Sequence, residues 1–530
     1  MRSQRYIPVF ASLLLLAAAD AGPVPATAQS EALCGSLDIP CRTTATSEVD
    51  FPAPVVVDDH LKLLPPPERK LRLSTKSRYL VPDEDSSAQS WRDRTDDNVP
   101  LRTAWESKQL RSGNRQEAST CKVVNVQLLA RHGTRNPNGS DLKQYLDLRT
   151  KLATTYTPPP PPAGHKYSFL TNFTAPCDFA MTGMLTTQGE VDSFELGRRL
   201  KEKYAHLVSD VGRIEWQTTN VSRTITSGRA FQQGLFAHKH DQDVAFSSLQ
   251  TSIFPNHQDP ILRPYDCCKR YENATENPPL PLPGTTFAQR RYPAIIARLA
   301  RDALLHDLTI HDVTIMFKLC AFEYTIQGKE AGFCSLFTDE ELALNDFAVD
   351  LNLNYYRAYG LEGDVNEWLA CPLLTKIFGG FDETIAAGSR RGGGTPNHPM
   401  AAFRFGHAET LTPLISTLGL FRDPHSPKGI QPHWTDEQIK ARVFRGAEFS
   451  PFGGNFIFEL LECPASQELD HPQRHHIAND RKTYKVRALV GEQPVVIPGC
   501  EGREACPIHL LKQALAGKIG CDFDGKCQNF

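Results

Sequence analysis

Residues 123–130, Val-Val-Asn-Val-Gln-Leu-Leu-Ala, are nearly all apolar or β-branched, and the run breaks off at Arg131-His132-Gly133. A short apolar run that ends on a turn signal suits a strand covered on both faces within a parallel sheet. Downstream, Thr187 and Glu190 stand at capping-box spacing, and Leu196, Leu200 and Tyr204 recur on one helical face, which predicts a helix over 187–206. A strand over 214–218 then leads through Asn220 to Arg223 into a second helix containing Ala230 and Phe231. This alternation of strand and helix defines an α/β core.

From 246 to 395 the pattern changes to helix-like segments such as 290–308 and 342–359, punctuated by Pro, Gly and Cys. An inserted, mainly α-helical cap is the economical reading. Gly392-Gly393-Gly394 lacks the Lys-Ser/Thr that follows a phosphate loop and reads as linker. The core resumes at 401–405, passes Gly406-His407-Ala408-Glu409, and continues through strand-like runs at 456–461 and 484–490. The chain therefore divides into a signal peptide (1–28), a loosely ordered N-terminal extension (29–114), a first part of the core (115–245), the cap (246–395), and a second part of the core with a disulfide-rich C-terminus (396–530). Pro158–Pro162 marks a surface loop.

Composition narrows the function. The chain has 530 residues, 40% of them hydrophobic, so it can bury a large core, and its net charge of -3 offers no electrostatic footprint for nucleic acid. Arg2 and Arg5, an apolar run from Ile7 to Ala19 and small residues ending in Ala26-Thr27-Ala28 form the pattern of a cleaved secretory signal. That run is too short to span a bilayer, which takes about 20 residues, so stable membrane insertion is not expected. The 14 cysteines suit an oxidising compartment, secreted or lumenal. Cys34/Cys41, Cys500/Cys506 and Cys521/Cys527 are plausible local bridges. The adjacent Cys267 and Cys268 are expected to have different partners, and connectivity beyond these pairs stays open. Sequons at Asn138, Asn172, Asn220 and Asn273 fit a glycoprotein. Protein partners are not legible.

Two strand-end histidine motifs carry the chemistry, and ligands of open α/β folds bind beyond the carboxyl ends of strands. In Arg131-His132-Gly133-x-Arg135-x-Pro137 an imidazole stands between two guanidiniums. Guanidinium matches phosphate oxygens with paired, permanently charged donors. Neighbouring Arg charges also disfavour imidazolium and so keep a lone pair on His132 for in-line attack. A departing alkoxide needs a proton, and Glu409, two residues after His407, is the candidate general acid. The logic is phosphoryl transfer to a histidine.

Taken with Leu185-Thr186-x-x-Gly189-Glu190 and Arg223-Thr224-x-x-Ser227, these motifs resemble the histidine acid phosphatase superfamily, and the His407-Ala408-Glu409 form resembles its multiple inositol polyphosphate phosphatase (phytase) branch. The likeness extends through Asp259-Pro-x-Leu-Arg263, Cys320-x-Phe-Glu323, Tyr355-Tyr356, Pro451-Phe452-x-x-Asn455 and Cys506-Pro507, with a weaker match at Thr75-Lys76-Ser77-Arg78-Tyr79. It implies a phosphoglycerate-mutase-like core sheet with a helical cap. It further implies His132 as nucleophile, Glu409 as proton donor, Arg131, Arg135, Arg223 and His407 as the phosphate pocket, and no metal or other cofactor. The substrates it implies are small phosphate esters: inositol hexakisphosphate and its lower forms, and also 2,3-bisphosphoglycerate. One departure is Leu489-Val490-Gly491-Glu492 where the family has Leu-x-Asn-Glu. A glycan on Asn220 would crowd Arg223, so that sequon is expected to be unused or to face away.

Other chemistries fit less well. No cysteine is followed by Arg at the Cys-x5-Arg spacing of thiolate phosphatases, and Asp522-Phe-Asp524 lies too near the C-terminus to head an aspartyl-nucleophile fold. A broad-specificity acid phosphatase is the alternative enzyme, and a non-catalytic glycoprotein that binds phosphorylated ligands is the alternative from another class.

Overall fold

The computed structural model describes residues 73–77, 121–155, 167–171, 173–236, 251–328, 332–389, 398–424, 426, 428–464 and 482–528. The signal peptide, most of the N-terminal extension, Pro158–Pro162, Gly392–Gly394, Asn172 and the Cys34/Cys41 pair lie outside the described residues.

Strand β1 (Lys122–Arg131) is the pivot of the sheet. After it come α1 (Gly139–Thr155), α2 (Thr187–Val208), β2 (Ile214–Thr219), α3 (Ser222–Phe236) and β3 (Thr251–Phe254). Helices α4 (Lys269–Glu276), α5 (Pro283–Asp302), α6 (Ile310–Gln327), α7 (Asp339–Arg357) and α8 (Cys371–Gly388) follow. The chain then returns with β4 (Ala401–Gly406), α9 (Ala408–Leu418), β5 (Asn455–Cys463), β6 (Thr483–Val490), β7 (Gln493–Val495) and β8 (Ala505–Pro507). Strand order is β3-β2-β4-β1-β5-β6-β7, with β8 also pairing to β6.

The sheet is mixed. β1 runs parallel to β4 and antiparallel to β5, so the parallel environment expected for residues 123–130 holds on one side only. Alternation along β1 explains the layers. Val126, Leu128 and Ala130 pack with Leu196, Leu200 and Phe231 of α2 and α3, whereas Leu129 faces Phe378 and Phe381 of α8 and Leu411 and Ile415 of α9. On the first face Phe403 meets Trp216 at 5.1 Å and Phe231 at 5.0 Å between ring centroids. Truncating so buried an aromatic costs about 3–5 kcal/mol. A separate apolar cluster joins α1, α5 and α6 and forms the heart of the helical cap.

Two segments inside the range expected for the cap serve the sheet instead: β3 pairs parallel to β2, and α8 covers the second face. The helix expected over 187–206 runs to Val208, and its cap is Thr186 rather than Thr187. The Thr186 hydroxyl accepts from the Gly189 amide and donates to the Thr134 carbonyl, tying the helix start to the loop after β1.

Cys500–Cys506 forms as expected. Cys521 and Cys527 do not pair with each other; they bond to Cys371 and Cys268. Cys527 is carried on a short helix, Phe523–Gln528, whereas Cys521 precedes that helix. Cys267 is a free thiol beside the bonded Cys268. Cys121–Cys463 clasps β1 to β5, and Cys320–Cys334 ties the middle of α6 to the short 3-10 turn Phe333–Leu336 that follows the helix. Among the described residues no helix is long and apolar enough to cross a membrane.

Candidate active site

Strand register builds the site. Arg131 pairs with Gly406 at the carboxyl ends of β1 and β4, so His132 and His407 leave the sheet side by side. Their rings meet edge-on, centroids 5.6 Å apart at 67°. β2 ends next to β4, and the first turn of α3 presents Arg223 toward the same point. Arg131, His132, Arg135 and His407 are each 3% exposed or less.

Close backbone packing fixes the His132 loop. A Cβ on Gly133 would stand 2.3 Å from the Gly189 carbonyl oxygen, and one on Gly189 would stand 2.2 Å from the Thr134 carbonyl oxygen, so both positions admit only glycine. The Gly133 amide donates to the Ser227 hydroxyl of α3 at 3.0 Å. On the other side Gly453 donates to the His132 carbonyl, and Arg131 donates through its amide to Gly454. The Pro451–Asn455 segment therefore acts as a clamp on the end of β1.

The ring of His132 is oriented from within its own loop. Its Nδ1 lies 2.9 Å from the Gly133 carbonyl oxygen, which can only accept, so the proton sits on Nδ1 and the lone pair on Nε2. Burial holds the His132 imidazolium pKa well below its usual value, and the charges of Arg223, Arg131, His407 and Arg135 push it further down. The expected arginine effect is present, but loss of hydration is the larger cause. His407 Nε2 bonds the Thr219 hydroxyl at 2.9 Å, and that hydroxyl lies 2.8 Å from Thr224, at the start of the Arg223 helix.

Arg131 is partly a structural cation. Its Nη1 donates to the carbonyls of Thr75 and Ser450, and its guanidinium lies 4.4 Å above the Phe452 ring. Arg135 donates to the Asn136 carbonyl at 2.8 Å. Glu409 sits in the first turn of α9, where Arg357 from α7 approaches it at 3.9 Å. Arg357 also bonds the Tyr271 hydroxyl and lies 5.4 Å from the Tyr265 ring centre. A cavity of about 510 Å³ opens from Glu409 and Arg357 and runs between α1, α5, α6 and α7. It is larger than one phosphate requires and is of the size that holds a small organic ligand.

All six residues named from the sequence thus belong to one strand-end constellation and its mouth. Arg357, Thr219 and Ser227 support them; of these the sequence reading named only Ser227, in the Arg223-Thr224-x-x-Ser227 motif, because Arg357 and Thr219 stand in no motif of their own. Gly491, in place of the family's Asn, takes φ +54° and Glu492 φ +64° in the two-residue turn joining β6 to β7, a conformation Gly and Asn both tolerate. Glu492 bonds Arg199 of α2 through both carboxylate oxygens, at 3.0 and 2.7 Å. Asn220 is exposed, while Asn138 lies in the cavity wall.

A buried imidazole whose protonation the surrounding guanidiniums oppose, set at strand ends, suits phosphoryl transfer to histidine. The chain belongs to the histidine phosphatase superfamily, branch 2, whose model matches residues 122–490. It is a hydrolase of phosphate esters. Multiple inositol polyphosphate phosphatase 1 of Dictyostelium discoideum is 24% identical over 72% of this chain, a match that spans 64% of that protein's own length. A thiamine-repressible acid phosphatase of Schizosaccharomyces pombe is 28% identical over 72% of this chain and 77% of its own. The crystal structure of Bifidobacterium longum multiple inositol polyphosphate phosphatase in complex with phosphate shares the fold, with a TM-score of 0.60 at 17% identity over 86% of this chain and 99% of that one.

Proposed function

We propose that this protein hydrolyses inositol polyphosphates, inositol hexakisphosphate and its lower forms, through a phosphohistidine on Nε2 of His132. The observation that carries the chemistry is the His132 Nδ1 contact with the Gly133 carbonyl, which leaves Nε2 as the nucleophile. In the first step the Nε2–P bond forms and the ester P–O bond breaks, and the leaving oxygen takes the proton of Glu409. In the second step water attacks phosphorus, Glu409 takes the water proton, and the Nε2–P bond breaks to release inorganic phosphate. Arg131, Arg135, Arg223 and His407 surround the transferred group and oppose its charge. The substrate reading is supported by the His407-Ala408-Glu409 form, by a cavity wider than a single phosphate, and by relatives that carry the inositol polyphosphate name.

A broad acid phosphatase is the second reading, favoured by the fission-yeast relative. The deciding experiment incubates the purified protein, in chelator, with inositol hexakisphosphate, 2,3-bisphosphoglycerate and p-nitrophenyl phosphate. Stepwise phosphate loss from the inositol substrate at the highest kcat/KM supports the proposal. Preference for the aryl ester assigns a general acid phosphatase, and no release from any ester leaves a phosphate-binding glycoprotein. The N-terminal signal pattern and the disulfides support a secretory-pathway location. Secretion of the expressed chain with residues 1–28 removed is its test.

A further inference from the structure

The first two turns of α3 reach both histidine motifs. Arg223 stands in the first turn, and one turn on the Ser227 hydroxyl accepts from the Gly133 amide of the His132 loop. Between them the Thr224 hydroxyl lies 2.8 Å from the hydroxyl of Thr219, the last residue of β2, and the Thr219 hydroxyl lies 2.9 Å from Nε2 of His407. β2 runs beside β4 with Thr218 opposite Phe405, which brings Thr219 level with the start of the His407 motif. Thr219 and Thr224 are fully buried and His407 is 3% exposed, so water does not compete for these groups.

Donor and acceptor can be assigned along this chain because it ends on a carbonyl. The Thr224 hydroxyl lies 2.7 Å from the Val221 carbonyl oxygen and 3.0 Å from that of Thr219, and a carbonyl can only accept. The single hydroxyl proton of Thr224 is therefore committed to a carbonyl, and toward the Thr219 hydroxyl it presents a lone pair. Thr219 must then donate to Thr224 and accept from His407, which places a proton on Nε2 of His407. The reverse order would turn the Thr224 proton toward Thr219 and leave two buried oxygens 2.7 Å apart with no proton between them, a costly contact. The two site histidines thus differ: His132 carries its proton on Nδ1 and keeps Nε2 bare for attack, whereas His407 directs an Nε2–H into the protein.

We propose that Thr219 is a positioning residue of the phosphoryl transfer: its hydroxyl takes the Nε2 proton of His407, holds that ring edge-on to His132 and couples it to the helix turn that carries Arg223. Two of the groups proposed to surround the transferred phosphate are then set by one hydrogen-bond chain. Loss of the Thr219 hydroxyl leaves a buried N–H without its acceptor and frees the ring to turn about its Cβ–Cγ bond. The inference rests on the phosphohistidine reading of the site.

The test uses wild type, Thr219→Val, Thr219→Ser, His407→Ala and the double variant of Thr219→Val with His407→Ala, with folding checked by thermal melting. kcat and KM are measured for p-nitrophenyl phosphate and for an alkyl phosphate. Thr219→Val is expected to lower kcat/KM by about tenfold or more for both esters, since the phosphate pocket serves every leaving group, and Thr219→Ser recovers most of the loss. In the His407→Ala background the same substitution costs less than about twofold, because Thr219 acts through that ring. An equal loss in both backgrounds, or a Thr219→Val enzyme as active as wild type, overturns the proposal. The proton assignment is read on wild type labelled with 15N-histidine, from the Nε2 resonance that disappears in His407→Ala. A protonated nitrogen at pH 8 is expected, and a bare one overturns the proposal even where Thr219→Val does not fold. If wild type forms no phosphohistidine, the mechanism fails separately, and the resonance still decides whether His407 donates to Thr219.

Discussion

The imidazole of His132 stands edge-on to that of His407, 5.6 Å between centroids, because the residues before them, Arg131 and Gly406, are register partners on adjacent parallel strands. Proximity makes a charge on either ring unfavourable for the other, and His407 is one of the groups that depress the His132 imidazolium. The Thr219 hydroxyl holds His407 at Nε2 and the Gly133 carbonyl holds His132 at Nδ1, so each ring is oriented by a different part of the sheet edge.

Removing either proposed catalytic group has a distinct signature. His132→Ala is expected to abolish turnover of every ester and to eliminate acid-labile, base-stable phosphate trapped on the protein during turnover. Glu409→Gln is expected to slow alkyl esters by about 10²–10⁴-fold, the range of general acid catalysis, and aryl esters with good leaving groups far less. Phosphate release across esters of graded leaving-group pKa checks both. Uniform slowing across the series by Glu409→Gln would remove it as proton donor.

Acid acts on stability through His132. Its folded pKa is depressed, so below its ordinary value of about 6.5 the unfolded chain takes up a proton that the folded chain refuses. Stability therefore falls with pH by about 1.4 kcal/mol per unit until the folded pKa is reached. His132→Ala removes this slope. Denaturant unfolding at pH 7 and pH 5 is expected to show a smaller loss for the variant than for wild type.

Asp350 works in the opposite sense. Burial and the Asp346 charge raise its carboxyl to about 7, against the opposing pull of Arg442. Its favourable contribution is full below about 3.9, the unfolded value, and is lost as pH rises through about 7. Asp350→Asn mimics the protonated form. Its melting temperature relative to wild type is expected to be more favourable at pH 8 than at pH 5; an equal difference at both would contradict a shared proton at this pair.

Glycine positions separate packing from propensity. Gly133→Ala drives a methyl into the Gly189 carbonyl and is expected to cost stability and activity together, by about 1–3 kcal/mol in the first. Gly379, inside α8, has nothing within 4 Å of a built Cβ, so Gly379→Ala is expected to stabilise by about 1 kcal/mol with activity unchanged. Chemical denaturation of the two variants beside wild type measures both.

A continuous apolar run along 123–130, a cap-and-repeat pattern over 187–206 and the Arg-His-Gly break were enough to read an α/β core and its two histidine motifs, because each is a local property of a short segment. Side-chain type and spacing also named Arg131, His132, Arg135 and Glu409 as candidates, and the family resemblance added Arg223 and His407. Contacts between distant segments were another matter. The antiparallel partner of β1, the Cys371–Cys521 and Cys268–Cys527 bridges, the Arg357–Glu409 pair and the docking of Ser74 on Asp350 join residues tens to hundreds of positions apart. Nothing local encodes those pairings. They are decided by which faces remain to be buried once the sheet has formed, so the kind of chemistry was written in the motifs, whereas the shape and charge of the cavity beside Glu409 arose only from the packing of cap on core.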